Sequence, residues 1–101
     1  MKQKSSKLAK LERNRYSIIT EDLEHCYMCK KNPVDIHEIY GGNNRRQSMK
    51  YEFCIPLCRL HHRMVTDKSS VSLIFKKACQ EKFEETHTRE EFMKIIGKNY
   101  L

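Results

Sequence analysis

Two short pairs of metal-binding residue types stand out in this sequence of 101 residues. Cys26 and Cys29 are separated by two residues, and Cys58 and His61 repeat that spacing. Each pair can place two ligands around one ion, and zinc in closed, four-coordinate structural sites is bound by thiolates and imidazoles. The sequence therefore predicts a structural Zn²⁺ held by three cysteines and one histidine. In a chain this small, such binding can supply much of the folding free energy.

The other two cysteines are predicted to have packing roles. Cys54 lies in a predicted strand, where it could replace one zinc ligand but is better explained as a small buried apolar residue. Cys79 lies within a predicted helix and is expected only to pack. The odd number of cysteines, behind a basic N-terminus with no apolar run, favours metal binding in a reducing cytoplasm over a disulfide framework.

Three polar candidates remain once the four zinc ligands are assigned: His37, Glu38 and His62. His62 directly follows a predicted zinc ligand on a short predicted helix, so its side chain points about 100° away from that of His61. The two histidines can therefore serve different centres. His37 lies in a predicted strand, where a neutral imidazole could take a proton from water. A strand histidine hydrogen-bonded to the backbone is the alternative interpretation.

The composition indicates a small basic domain. Only 39% of the residues are hydrophobic and 33% are charged, so we expect a modest core that depends on a metal. The net charge of +7 is consistent with a polyanionic partner such as nucleic acid. No stretch approaches the roughly 20 apolar residues of a membrane span, so we expect no membrane association.

The order of predicted elements is strands first and helices last, which indicates an α+β fold. We predict a basic arm or short helix over 1–15, a hairpin over 16–27, a strand over 34–40, a loop over 41–48, a second strand over 51–57, a short helix from Arg59, a long helix over 68–85 and a last helix over 89–96. Residues 16–101 would form one domain, with C-terminal helices from about residue 70.

The two C-terminal helices have the clearest local signals. The long helix is predicted to turn Leu73, Ile74 and Ala78 inward, together with Phe83. For the last helix, Thr88 and Glu91 match a capping box, and Gly97 follows the end as the residue that stops it.

Three motifs resemble those of HNH endonucleases, the ββα-metal or His-Me finger group, in the version braced by a pair of zinc knuckles. The motifs are Cys26-x-x-Cys29, Asp35-Ile36-His37-Glu38-Ile39 and Pro56-Leu57-Cys58-Arg59-Leu60-His61-His62. The wider pattern is similar to small HNH-type proteins carried by phages and prophages of low-GC Gram-positive bacteria.

This resemblance implies a zinc-stabilised ββα-metal core that hydrolyses DNA phosphodiester bonds with one catalytic divalent ion, Mg²⁺, Mn²⁺ or Ni²⁺. It makes His62 a ligand of that ion and His37 either the base that activates water or a second ligand. Asp35 or Glu38 would be the neighbouring carboxylate or a further ligand. The implied location is the cytoplasm of a bacterial host, with DNA as the partner and a host or phage protein as a further candidate partner.

Two adjacent arginines complete the implied site. Arg45 and Arg46 lie in the predicted loop between the strands. Beside a nuclease site, they would neutralise backbone phosphates of DNA.

The register of the strand motif leaves two arrangements open. Followed literally, the family pattern puts His37 at the metal-ligand position and Glu38 at the base position. Strand alternation instead turns Asp35 and His37 to one face and Glu38 to the other.

The chain departs from the family pattern at two further places. The middle asparagine is missing: Glu52 and Phe53 stand near its expected place, and Asn43 or Asn44 would have to replace it. Thr66 stands where a third histidine is frequent. These departures keep a second function open, a catalytically inactive zinc module of the same fold that binds nucleic acid or a host protein.

Overall fold

The computed structural model describes residues 15–101, so all but the last residue of the predicted basic arm lies outside the described residues. The elements are β1 (Asp35–Glu38), α1 (Arg45–Tyr51), β2 (Cys54–Leu57), α2 (Arg59–Asp67), α3 (Ser69–Phe83) and α4 (Arg89–Ile96), with a 3₁₀ turn over Gly42–Asn44 before α1. Over residues 15–101 this is a small α+β fold of four α-helices and a two-stranded sheet, as predicted in outline.

The sheet is antiparallel and pairs His37 with Ile55 and Glu38 with Cys54. All four residues of β2 are buried, whereas those of β1 are half-buried. Because side chains alternate along a strand, one face of β1 can carry polar groups beside α2 while β2 anchors the core. Pro56 has no N–H to donate and lies opposite Ile36, a position that a two-stranded sheet tolerates.

The connection between the strands was predicted to be a loop, and this prediction was wrong. The turn residues end at Asn44, and the following helix formers build α1 from Arg45 onward. Buried Ser48 fastens this helix to the end of β1, because its hydroxyl accepts from Tyr40 N–H at 3.0 Å and donates to Tyr40 O at 2.8 Å. Arg45 and Arg46 therefore lie exposed on the first turn of a helix rather than in a loop.

The predicted N-terminal hairpin is also wrong, since residues 15–34 contain no strand. Side-chain oxygens accept hydrogen bonds from backbone N–H groups that would otherwise pair with a neighbouring strand. Ser17 Oγ accepts from the N–H groups of Ile19 and Thr20, and Asp22 Oδ1 accepts from that of Glu24. Such local bonds compete directly with sheet formation. The segment is an irregular one that leads into the first cysteine pair.

An aromatic cluster forms the centre of the core. The ring centroids of Tyr40 and Phe53 are 5.5 Å apart, and Phe83 and Phe92 contact each other and Phe53 with centroids 5.6 to 6.2 Å apart. Edge-to-face and tilted pairs at these distances add stability beyond the burial of area. The cluster joins β2 to α3 and α4.

The inward face of α3 agrees with the prediction at Phe83 and differs from it at Leu73, Ile74 and Ala78, which are exposed. Leu73 and Ile74 are 40% and 62% exposed, while Phe75, Gln80 and Phe83 are buried. Aromatic side chains bury more area than Leu or Ile, so the two phenylalanines fix the rotation of the helix.

Both cysteines predicted to pack are completely buried. Burial raises the pKa of Cys54 and of Cys79 to about 12, which makes the two thiols inert at neutral pH. Their predicted structural role agrees with this environment.

The predicted ends of α4 are confirmed. Thr88 accepts from Glu91 N–H, the Glu91 side chain accepts from Thr88 N–H at 2.8 Å, and Gly97 ends the helix at φ 87°. Replacing Thr88 with alanine should lower the free energy of unfolding by about 1 kcal/mol, measured by urea denaturation. Thr86→Ala is the control, since that exposed hydroxyl contacts only a neighbouring exposed histidine, and it should change stability by less than about 0.5 kcal/mol. Equal losses would show that the cap contributes nothing.

Candidate metal centre and adjacent histidine site

The four predicted zinc ligands come together in space. One ligand atom from each of Cys26, Cys29, Cys58 and His61 lies within 4.8 Å of the other three. Cys29 Sγ and Cys58 Sγ are 3.8 Å apart, and His61 Nδ1 lies 3.3 Å from Cys58 Sγ and 3.5 Å from Cys26 Sγ. Zn–S bonds of about 2.3 Å in a tetrahedron would separate two sulfurs by about 3.8 Å. This Cys₃His cluster could therefore bind a structural metal ion such as zinc.

The fold builds the cluster from a turn and a helix start. The first pair lies on a tight turn closed by Lys30 N–H donating to Cys26 O at 2.8 Å, with Lys30 in the left-handed region at φ 67°. The second pair begins α2, with Cys58 as the residue before its first turn. A hydrogen bond from Tyr27 N–H to Pro56 O, 2.8 Å long, joins the turn to β2 and so brings the two pairs together.

The environment of Cys26 favours the thiolate. Burial opposes its ionisation, but hydrogen bonds from the backbone of Cys58, Cys29 and Met28 lower the pKa of Cys26 to about 6. The thiolate is the form that binds metal ions. These hydrogen bonds therefore favour the metal-binding form of Cys26 even when no ion is bound.

A second group of side chains lies on the other side of α2. His62 Nδ1 is 3.2 Å from Asp35 Oδ2, and the rings of His37 and His62 meet edge to face with centroids 5.2 Å apart. The same Asp35 oxygen accepts from Arg59 Nε at 3.1 Å. We call Asp35, His37 and His62 the histidine site. His61 and His62 therefore lie in two different environments, as the helical spacing predicted.

Hydrogen bonding and burial define the states of these side chains. The bond from His62, followed by the one from Arg59, lowers the pKa of Asp35 below its ordinary value, so the carboxylate is ionised. With Nδ1 of His62 bound to that carboxylate, Nε2 keeps its lone pair, which is the usual arrangement of a metal-binding imidazole. Burial, reinforced by electrostatic interactions with His62 and Lys76, lowers the pKa of His37 to about 4. His37 is thus neutral at pH 7.

Glu38 lies apart from the histidine site. Strand alternation turns Asp35 and His37 toward His62, and Glu38 receives two hydrogen bonds from Arg15, 2.7 and 3.0 Å long. The Arg15 guanidinium also donates to Glu52 at 2.6 Å. We call these three residues the Arg15 clamp. Of the two registers left open by the sequence, the structure has the one set by alternation.

Comparison with known proteins identifies no relative from which a role could be transferred. No family model, curated protein or solved structure matches the chain. The geometry of the described residues is therefore the basis for any functional argument. Within residues 15–101, no helix combines the length and the apolar character needed to cross a bilayer.

The two candidate centres differ in their number of ligands. Within the part of the chain that the structure describes, the Cys₃His cluster is the one set of three or more ligand atoms close enough to hold an ion. The histidine site offers two imidazoles and an orienting carboxylate, so an ion there would need further oxygens from water or substrate. Such open coordination is typical of catalytic sites and of Mg²⁺.

Two arginines beside the histidine site were not predicted from the sequence. Arg59 and Arg63 line an open depression together with His62, Thr66 and Asp67. The sequence contains a pattern that could have identified this face. Arg59, His62, Arg63 and Thr66 follow the i, i+3, i+4, i+7 spacing of one side of a helix.

Proposed function

We propose that this protein is a metal-dependent endonuclease of the HNH type that hydrolyses DNA phosphodiester bonds. The observation that carries the proposal is the His62–Asp35 pair beside His37. The pair lies where α2 follows the antiparallel strands β1 and β2, and this order of elements is the one that the HNH resemblance implies. The net charge of +7 suits a polyanionic substrate.

Each residue of the histidine site has a role in this proposal. His62 Nε2 would hold a divalent ion such as Mg²⁺, Mn²⁺ or Ni²⁺, which supplies charge stabilisation at the phosphate and the leaving oxygen when bound. Asp35 orients the His62 ring through Nδ1. The neutral, half-buried imidazole of His37 accepts the proton of the attacking water. Glu38 has no part in the reaction, because its carboxylate is engaged by Arg15.

A second candidate function is a zinc module without nuclease activity that binds nucleic acid or a host protein. The engagement of Glu38 by Arg15 favours it, since the literal family register assigns Glu38 to the base position. Thr66, whose hydroxyl donates to His62 O at 2.8 Å rather than adding a ligand, favours it as well.

Cleavage of supercoiled plasmid in the presence of Mg²⁺, Mn²⁺ or Ni²⁺ separates the two functions. We expect His62→Ala and His37→Ala each to reduce the rate by about 100-fold or more, because each removes a group that acts directly on the reaction. His87→Ala is the matched control: this histidine stacks on Phe83, and its loss should leave cleavage unchanged. Wild-type activity in both site variants would contradict the assignment. DNA binding with no cleavage under any of the three metals would favour the zinc module.

A further inference from the structure

The exposed face of α2 carries a cluster of side chains that neither the zinc centre nor the proposed chemistry uses in full. Arg59, His62, Arg63 and Thr66 line one depression, with a volume of about 200 Å³. Their spacing places them on consecutive turns of the same face, while His61 points to the Cys₃His cluster. Asp67 lies at the end of the depression.

We infer that this face of α2 is a subsite for a backbone phosphate of the nucleic acid, next to the phosphate at the histidine site. The inference rests on the proposed function and adds to it a substrate contact beside His62. Arg59 and Arg63 are its main ligands.

The geometry of Arg59 supports this role. Its side chain is 81% exposed, yet its Nε is held by Asp35 at 3.1 Å. A guanidinium has five N–H donors, so the bond from Nε leaves the terminal groups for a phosphate. Asp35 also binds His62, so one carboxylate positions both the arginine and the histidine.

The side chains that line the depression suit a phosphate rather than a base. The depression is open to solvent, and its volume of about 200 Å³ admits a hydrated phosphate group. No Phe, Tyr or Trp side chain lines it, so it lacks the large aromatic rings on which bases most often stack. Arg63 and Arg59 are one turn apart, and Asp35 and Asp67 offset their charge. What the arginines offer a phosphate is therefore their free N–H donors rather than an excess of positive charge.

The test compares three double variants that each remove two positive charges: Arg59→Ala with Arg63→Ala, Arg45→Ala with Arg46→Ala, and Lys77→Ala with Lys82→Ala. Binding to a fluorescent duplex is measured by anisotropy at several salt concentrations, with no divalent ion added. We expect the α2 variant to bind at least about 10-fold more weakly, and its salt slope to fall by about 0.9 for each phosphate that it no longer neutralises. The α3 lysine variant controls for net charge and should lose much less affinity.

The outcomes are distinct from those of the cleavage test. If the α2 variant binds as tightly as the α3 variant, or if the Arg45 and Arg46 variant alone loses affinity, the subsite is wrong, whatever the cleavage activity of the wild type. If the α2 variant loses affinity but no metal supports cleavage, the subsite stands and the nuclease proposal fails. Zinc content and far-UV circular dichroism of each variant confirm that it is folded.

Discussion

Replacing Cys58 with serine is expected to abolish zinc binding and to unfold the chain. Apparent zinc affinities of structural sites correspond to about 10 kcal/mol or more, which is comparable to the whole stability of a small domain. Serine is a favourable residue before the first turn of a helix, and Cys58 makes no side-chain cap there, so the substitution removes one ligand without weakening the start of α2. The effect can therefore be assigned to the metal. Zinc per chain by mass spectrometry and helix content by circular dichroism are the measurements.

Cys79→Ala is the matched control for this experiment. Cys79 is as completely buried as Cys26 but lies outside the Cys₃His cluster. It should retain one zinc per chain and lose about 1 to 2 kcal/mol for its cavity. A chelator should unfold the wild type and the control alike. A Cys58→Ser protein that keeps one zinc and full helix content would show that the cluster is not the metal site.

The second large effect is expected at the Arg15 clamp. Arg15→Ala should lower the free energy of unfolding by about 3 to 5 kcal/mol, measured by urea denaturation, because it leaves two buried carboxylates without a partner. The Arg15 side chain is 7% exposed, and those of Glu38 and Glu52 are each 9% exposed. Burial alone would lower the pKa of Arg15, but its hydrogen bonds to both glutamates raise it overall. Glu52 also ends α1 in the left-handed region at φ 61°, which is unfavourable for a residue with a side chain.

Arg59→Ala is the control for the clamp, because it also loses an arginine–carboxylate pair. That pair is exposed, so its loss should cost less than about 1 kcal/mol. A triple variant, Arg15→Met with Glu38→Gln and Glu52→Gln, should recover much of the stability that Arg15→Ala loses, since no buried charge is left unpaired. If Arg15→Ala costs no more than Arg59→Ala, the clamp does not stabilise the fold.

The features that sequence predicted well depend on residues close together in the chain. Thr88, Glu91 and Gly97 define α4 within a few residues, and each cysteine pair is defined within four. The meeting of the two pairs could also be predicted, because four zinc ligands with the same spacing have one simple solution. The candidate metal ligands therefore predict a contact between distant parts of the chain, which the hydrophobic pattern of a short chain does not.

The features that were missed depend on contacts between distant residues. Ser48 has the residue type of a turn, and only its two hydrogen bonds to Tyr40 show why α1 docks at that place. Arg15 belongs by sequence to a basic arm, although its partners lie 23 and 37 residues away. In both cases a polar residue that looks solvent-exposed in sequence is buried by its partners. Strand alternation alone predicts that Glu38 points away from the histidines, but no neighbouring residue in the sequence indicates that its partner is Arg15.

Consecutive positions of α2 serve two centres, His61 in the Cys₃His cluster and His62 in the histidine site. An insertion or deletion of one residue between Cys58 and His61 would rotate the helix by about 100° and disrupt both centres together. We therefore expect the spacing between Cys58 and His62 to tolerate no insertion or deletion in evolution. Substitution of His62 alone is different, because it leaves all four residues of the Cys₃His cluster in place. If the proposed activity depends on His62, a descendant that lost it in this way would keep a folded scaffold.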